Sequence, residues 1–153
     1  IEAVRALSSL GNGGNLVVPH LVKEIKYEDG TKKEITYPTK RVKFSEKTSE
    51  EITSMLVTVM DKSLKAGVAK FDHYSVAVKT GTAQVARSDG GGYYEDRHTH
   101  SFFGYFPAYD PKFLVFLYAV NPKGVPYASQ TWADPFLDLA KFLINYYEVP
   151  PDR

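Results

Sequence analysis

Three strand-forming segments follow one another closely in the second half of the chain, and they constrain its fold more than any other feature. Residues 75–85, 101–106 and 112–120 are rich in β-branched and aromatic side chains, which favour strands. The links between them are too short for the crossovers that parallel strands need, so the sequence predicts an antiparallel sheet. The almost entirely apolar segment 112–120 predicts a central strand, and the glycine-rich, charged segment 87–97 predicts a mobile loop.

Apolar residues recur at helical spacing in three further segments, 2–10, 46–66 and 132–147. Ser45 is the predicted N-cap of the second helix, with Thr48 in a capping box as the alternative. Thr131 or Asp134 is the predicted N-cap of the third helix, and Pro135 would be tolerated in its first turn. Helices that accompany an antiparallel sheet in one chain predict an α+β fold, in which the helices flank the sheet.

A charged hairpin is predicted before the second helix. Residues 21–27 alternate in polarity, a turn signal follows, and residues 34–37 form the returning strand. The stretch 20–47 contains eight Lys or Arg and five Asp or Glu. A solvated surface is the preferred interpretation of these charges, and a binding patch is the alternative. We therefore divide the chain into a helix end with a basic hairpin region, 1–47, and a helix–sheet–helix region, 48–153.

Composition excludes several classes of function. The formal net charge of +1 argues against a dedicated nucleic-acid-binding protein, and we expect no nucleic-acid partner. The absence of cysteine excludes disulfide scaffolds, cysteine-ligated zinc and thiol chemistry. The longest apolar run, eight residues, is far below the ~20 that a membrane-spanning helix needs. The chain begins with Ile1 inside a helical pattern, so we expect a piece of a longer protein.

The segment Lys79-Thr80-Gly81-Thr82 combines the groups that bind a carboxylate with those that stabilise an oxyanion. In a strand, Lys79 and Gly81 share one face, and Thr80 and Thr82 share the other. Glycine lets another backbone or a ligand approach closely, and the strand edge could pair with an extended peptide. The lysine could neutralise a carboxylate, the hydroxyls could bind one, and the Thr82 N–H could donate to an oxyanion.

Several ordered segments around this motif resemble the penicillin-binding transpeptidases. Lys-Thr-Gly is the third signature motif of that family, and here it extends through Ala83 and Gln84. The other matching segments are Ala3–Leu7 with Gly11–Gly14, Pro19–Val22, the helix after Ser45, Ser101–Ala108 with Asp110-Pro111, and the end of the last helix with Val149–Asp152. The chain resembles the C-terminal part of the transpeptidase domain of a class B, division-type penicillin-binding protein.

This resemblance implies a parent enzyme that cross-links peptidoglycan stem peptides ending in D-Ala-D-Ala through an acylated serine, which β-lactams also acylate. It implies catalytic roles for Lys79 and Thr82, a substrate-binding role for Thr80, Gly81 and Thr82, and a weaker substrate contact for Gln84. It implies no cofactor and no metal. The parent would sit at the extracytoplasmic face of the bacterial inner membrane, anchored upstream, with cell-division proteins among its partners, whereas the fragment itself would be soluble.

The chain departs from the family pattern in ways that bear on activity. It contains no Ser-x-x-K and no Ser-x-Asn triplet, so the nucleophile, its lysine and the second motif are missing. We therefore expect these groups in the N-terminal half of the domain and expect the isolated chain to be inert. Val78 stands where the family often has glycine, and residues 127–131 lack the usual Gly-Gly.

Two other classes of function remain open from the sequence. One is a non-catalytic binding or regulatory module with the same sheet, and the other is a β-lactamase-like hydrolase. His98 and His100 could share one face of a strand, but a zinc site needs a third ligand, and an ordinary structural pair is the preferred interpretation. His20 has no acidic neighbour in sequence, which favours a structural role, and residues 90–92 lack the setting of a phosphate loop.

Overall fold

The computed structural model describes all residues, 1–153. Three α-helices and seven strands are present: α1 (Glu2–Gly11), β1 (Asn15–Leu16), β2 (Glu24–Lys26), β3 (Lys32–Glu34), β4 (Lys40–Arg41), α2 (Glu46–Thr58), β5 (Ala77–Ala86), β6 (Tyr93–Phe106), β7 (Phe113–Val120) and α3 (Ala128–Tyr146). Short strands β1 and β4 pair with each other, as do β2 and β3. No helix combines the length and the hydrophobicity needed to cross a membrane.

The main sheet consists of β5, β6 and β7 in that order, and both pairs of neighbours are antiparallel. This arrangement confirms the predicted antiparallel sheet and the α+β fold. The prediction of a central position for 112–120 is wrong for this chain, because β7 forms an edge and β6 lies in the middle. Alternate residues Phe113, Val115 and Leu117 of β7 pack against the core, and its outer edge has no strand beside it.

Helices pack on both faces of the sheet, and the core lies between them and the strands. On one face, α3 packs Phe136 against Phe102 and Phe106, and all three side chains are fully buried. On the other face, Thr53 of α2 forms a buried 2.8 Å hydrogen bond with the hydroxyl of Tyr105. Burial raises the pKa of Tyr105, and the hydrogen bond to Thr53 opposes that shift.

The β5–β6 hairpin is longer than predicted. The segment 87–97 is only partly a loop, because β6 begins at Tyr93 and its register with β5 resumes at the pair Ala86 and Tyr93, beyond an irregularity. The Arg97 guanidinium lies 4.1 Å from the centre of the Tyr94 ring, and such cation–π contacts stabilise an extended hairpin. The prediction of a loop over all of 87–97, which rested on charge and glycine content, is therefore wrong for residues 93–97.

The helix boundaries differ from the predicted ones by more than one residue at two ends. Ser45 does cap α2, since its Oγ accepts from the Thr48 N–H at 3.1 Å. The regular helix ends at Thr58, however, and residues 59–67 continue as a π-helical and a 3₁₀ turn. The third helix begins at Ala128, so neither Thr131 nor Asp134 is its cap and Pro135 lies beyond its first turn.

The charged hairpin exists, but its returning strand lies earlier than predicted. β3 spans Lys32–Glu34 and therefore ends where the predicted strand, residues 34–37, begins. The turn ahead of it closes tightly, because Asp29 accepts hydrogen bonds from the backbone N–H and the hydroxyl of Thr31. These two bonds lower the pKa of Asp29.

Candidate active site

The Lys-Thr-Gly-Thr motif lies in β5, and β5 is an edge strand of the main sheet. Its inner edge pairs with β6, so that Lys79 stands opposite Phe103 and Thr82 opposite His100. Val76 and Val78, just before the motif, are completely buried and anchor the strand in the core. The motif residues themselves are half-buried or exposed, so the structure presents them along an accessible edge.

Lys79 carries an exposed positive charge on this edge. Its Nζ donates to the backbone carbonyl of Thr80 at 2.7 Å, and the side chain belongs to none of the ion pairs in the structure. An ammonium without a carboxylate partner remains available to a bound anion. The strand alternation places it on the sheet face that α2 covers, because neighbouring Ala77 packs with Leu56 of α2.

Thr80 and Thr82 lie on the opposite face, toward α3, as the alternation predicted. The Oγ1 of Thr82 accepts a hydrogen bond from the backbone N–H of Ala128, the first residue of α3, at 3.0 Å. A hydroxyl has one donor and two acceptor positions, so this contact leaves the Thr82 proton free to donate to a ligand. The sequence did not indicate that α3 would orient this side chain.

Gly81 lies close to a side chain of the neighbouring strand. A Cβ at this position would lie 2.5 Å from the Oγ of Ser101, its partner in β6. Ser101 also donates a long, 3.5 Å hydrogen bond to the Gly81 carbonyl oxygen. The close approach predicted for Gly81 is therefore made by a protein side chain, which keeps β5 and β6 tightly paired at the motif.

Gln84 lies two residues beyond the motif on the same strand and is exposed. Its Nε2 donates to the Tyr94 carbonyl oxygen at 3.4 Å, a weak contact within the hairpin. Because Gln84 shares a face with Thr80 and Thr82, it extends the same row of polar side chains. The structure thus brings all the predicted site residues onto one strand.

The histidines outside the motif have clear structural surroundings. His20 stacks on the ring of Tyr37 with 3.6 Å between centroids, and its Nδ1 lies 2.7 Å from the Val18 carbonyl oxygen. His98 and His100 lie on one face of β6, with ring centroids 6.4 Å apart. No cluster of three His, Cys, Asp or Glu side chains is suited to hold a metal ion.

A polar cavity lies away from the motif. It has a volume of about 380 Å³ and lies between the end of α1, α2 and the turn after β6. Polar residues such as Asn12, Glu46, Glu50 and Asp110 line it. None of the motif residues lines this cavity, and the candidate site is the accessible edge of β5.

Comparison with known proteins identifies the family. Residues 1–139 match the model of the penicillin binding protein transpeptidase domain, which is most of the chain. The chain belongs to the penicillin-binding protein transpeptidase family. The Lys79–Thr82 segment lies within the matched residues, on the edge strand β5.

Curated relatives of this transpeptidase segment are much longer proteins. It is 36% identical over 140 residues to the stage V sporulation protein D of Bacillus subtilis, covering 90% of this chain and 21% of that protein. It is 27% identical over 154 residues to the probable peptidoglycan D,D-transpeptidase PenA of Neisseria gonorrhoeae, covering 100% of this chain and 24% of that protein. The chain thus spans about a quarter or less of these relatives.

A solved structure shows the same fold. Penicillin binding protein 3 from Mycobacterium tuberculosis, in complex with ampicillin, is 28% identical and superposes with a TM-score of 0.80. The match covers 97% of this chain and 35% of that one. The element order and the antiparallel sheet described above are therefore those of a transpeptidase domain.

Proposed function

We propose that this chain is the part of a transpeptidase domain that binds substrate along β5, in a protein that cross-links peptidoglycan stem peptides. The observation behind the proposal is the edge position of β5, where the unpaired Lys79 and the oriented Thr82 hydroxyl are both accessible. An extended peptide ending in D-Ala-D-Ala can pair with such an edge through its backbone. Its terminal carboxylate then meets the hydroxyls of Thr80 and Thr82.

The reaction we propose is serine acyl transfer. A serine hydroxyl attacks the carbonyl of the penultimate D-Ala, the terminal D-Ala leaves with a proton, and an ester remains. The amine of a second stem peptide attacks this ester, forms the cross-link and returns the proton to the serine. In this chain, the Thr82 N–H would donate to the oxyanion and the Lys79 charge would stabilise the carboxylate and the proton transfers. No cofactor or metal enters these steps.

β-Lactams would acylate the same serine, because opening of their ring leaves an analogous ester. Support comes from the relative whose structure contains ampicillin, since this chain has the same fold and is 28% identical to it over the matched residues. The β-lactam carboxylate would occupy the position of the D-Ala carboxylate, beside Thr80 and Thr82. Gln84 would contact the part of the ligand that continues along the strand.

The nucleophilic serine and its lysine must come from residues outside this chain, which contains no Ser-x-x-K. We propose that the N-terminal half of the domain supplies them and also covers the open edge of β7. This strand carries exposed Tyr118 and Val120, which are 56% and 63% accessible. An apolar, unpaired strand edge of this kind is usually covered by another segment. By the same proposal the division-type parent is anchored upstream, acts outside the inner membrane and meets division proteins there.

Release of D-alanine tests the proposed reaction. The full-length protein is incubated with a stem pentapeptide ending in D-Ala-D-Ala and an acceptor amine, and free D-Ala is measured together with the cross-linked product. We expect both products, and we expect excess ampicillin to suppress both. The same assay without protein provides the baseline.

The two alternative functions give different results in this assay. A non-catalytic module would release no D-Ala and form no stable penicillin adduct. A β-lactamase-like hydrolase would turn over penicillin rapidly and form no cross-link. Either result would overturn the proposed transpeptidase function.

A further inference from the structure

His100 is a buried polar side chain next to the candidate site that the proposed chemistry does not use. It is completely inaccessible to solvent and stands opposite Thr82 in the pairing of β5 with β6. Its Nδ1 lies 2.8 Å from the Oγ1 of Thr131 in α3, whereas its Nε2 has no hydrogen-bond partner. The Thr131 hydroxyl is therefore the polar contact that fixes the ring.

The first turns of α3 contact both strands at this point. The indole Nε1–H of Trp132 donates to the His100 carbonyl oxygen at 3.2 Å. The Ala128 N–H, one of the donors that a helix start leaves unpaired, donates to the Oγ1 of Thr82 at 3.0 Å. Ala128 is itself fully buried. The position of this helix end relative to β6 therefore sets the orientation of the Thr82 hydroxyl.

We propose that His100 and Thr131 are positioning residues for Thr82. Their hydrogen bond holds the start of α3 at the height where Ala128 can donate to Thr82, which leaves the Thr82 proton directed to an incoming carboxylate. The inference rests on the proposed function, in which that hydroxyl binds the substrate carboxylate. Neither His100 nor Thr131 touches the substrate.

A pair of variants separates the hydrogen bond from packing. In the full-length protein, Thr131→Val replaces the hydroxyl by a methyl group of similar size, and Thr131→Ser keeps the hydroxyl. Acylation by penicillin is followed over a range of concentrations, which separates the apparent dissociation constant from the acylation rate. For Thr131→Val we expect an apparent dissociation constant about three- to tenfold higher, as for the loss of one hydrogen bond. Thr131→Ser should remain near the wild type.

A second variant and a double variant sharpen the test. His100→Asn keeps an amide near the position of Nδ1 and is expected to bind penicillin better than His100→Leu. In a Thr82→Val background, Thr131→Val should not raise the apparent dissociation constant any further. The Thr131 hydroxyl acts through the Thr82 hydroxyl, which is already absent in that background. An additive loss, or equal binding by Thr131→Val and Thr131→Ser, would show that Thr131 only packs.

Hydrogen exchange of the Ala128 amide gives a readout that does not depend on activity. We expect faster exchange in Thr131→Val than in Thr131→Ser, because the helix start is less firmly held. Equal exchange in the two variants overturns the inference. Failure of the wild type to react with penicillin would instead count against the proposed function, and the exchange result would still decide the positioning role.

Discussion

At the scale of single residues, the site depends on how two side chains of β5 are left available. Lys79 is exposed and has no carboxylate partner, so no acidic side chain of the chain neutralises its charge. Thr82 accepts from the backbone of α3 and keeps its proton. Both arrangements suit the recognition of a ligand carboxylate, because the partners of each side chain leave a donor group available.

Replacing Lys79 tests this availability. In the full-length protein, Lys79→Ala is expected to slow acylation by a fluorescent penicillin on the order of 100-fold, because one charged group of the site is lost. Lys123→Ala is the matched control, since Lys123 is an exposed lysine in the loop after β7. Labelling is followed over time on a denaturing gel. Unchanged acylation of Lys79→Ala would remove Lys79 from the site.

At the scale of elements, the pairing of β5 with β6 and the packing of α3 set the position of the motif. Gly104 in β6 lets Phe136 of α3 approach the sheet, because a Cβ there would lie 2.5 Å from the Phe136 ring and 2.8 Å from the Ala77 carbonyl oxygen. At Gly81 the corresponding neighbour is the Ser101 hydroxyl, a side-chain group that can adopt another rotamer. The two glycines therefore differ in what an added methyl group displaces.

The two glycine-to-alanine variants should differ in stability. We expect Gly104→Ala to destabilise the transpeptidase domain by about 1–3 kcal/mol, since a ring and a backbone oxygen must both move. Gly81→Ala is expected to cost less than about 1 kcal/mol, because the Ser101 side chain can rotate. Urea unfolding of both variants measures the difference. Equal destabilisation would mean that α3 does not pack on Gly104 as described.

Most of these elements were predictable from the sequence, because each has a strong local pattern. The second helix as far as Thr58, the Ser45 cap and the alternation in β5 are confirmed. The edge position of β7 was not predictable, since an apolar strand has the same sequence pattern whether or not a further strand pairs with it. The contacts of Thr82 with Ala128 and of His100 with Thr131 join residues 46 and 31 positions apart, which no local pattern reveals.

At the scale of the whole molecule, the chain holds the part of a transpeptidase domain that carries Lys79-Thr80-Gly81-Thr82, and it contains no Ser-x-x-K. It spans about a quarter or less of its curated relatives, although the family model matches residues 1–139. The open edge of β7 and the absence of Ser-x-x-K therefore have one explanation in our account. We propose that the segment covering β7 and the nucleophile both belong to the other part of the domain.

The measurement that tests this account most directly is the intact mass of the protein after incubation with benzylpenicillin. The full-length protein is expected to gain the mass of one penicillin molecule, and the 153-residue chain treated in parallel is expected to gain none. Pre-incubation with ampicillin serves as the control for the site. An unmodified full-length protein, or an adduct on the isolated chain, would contradict the account.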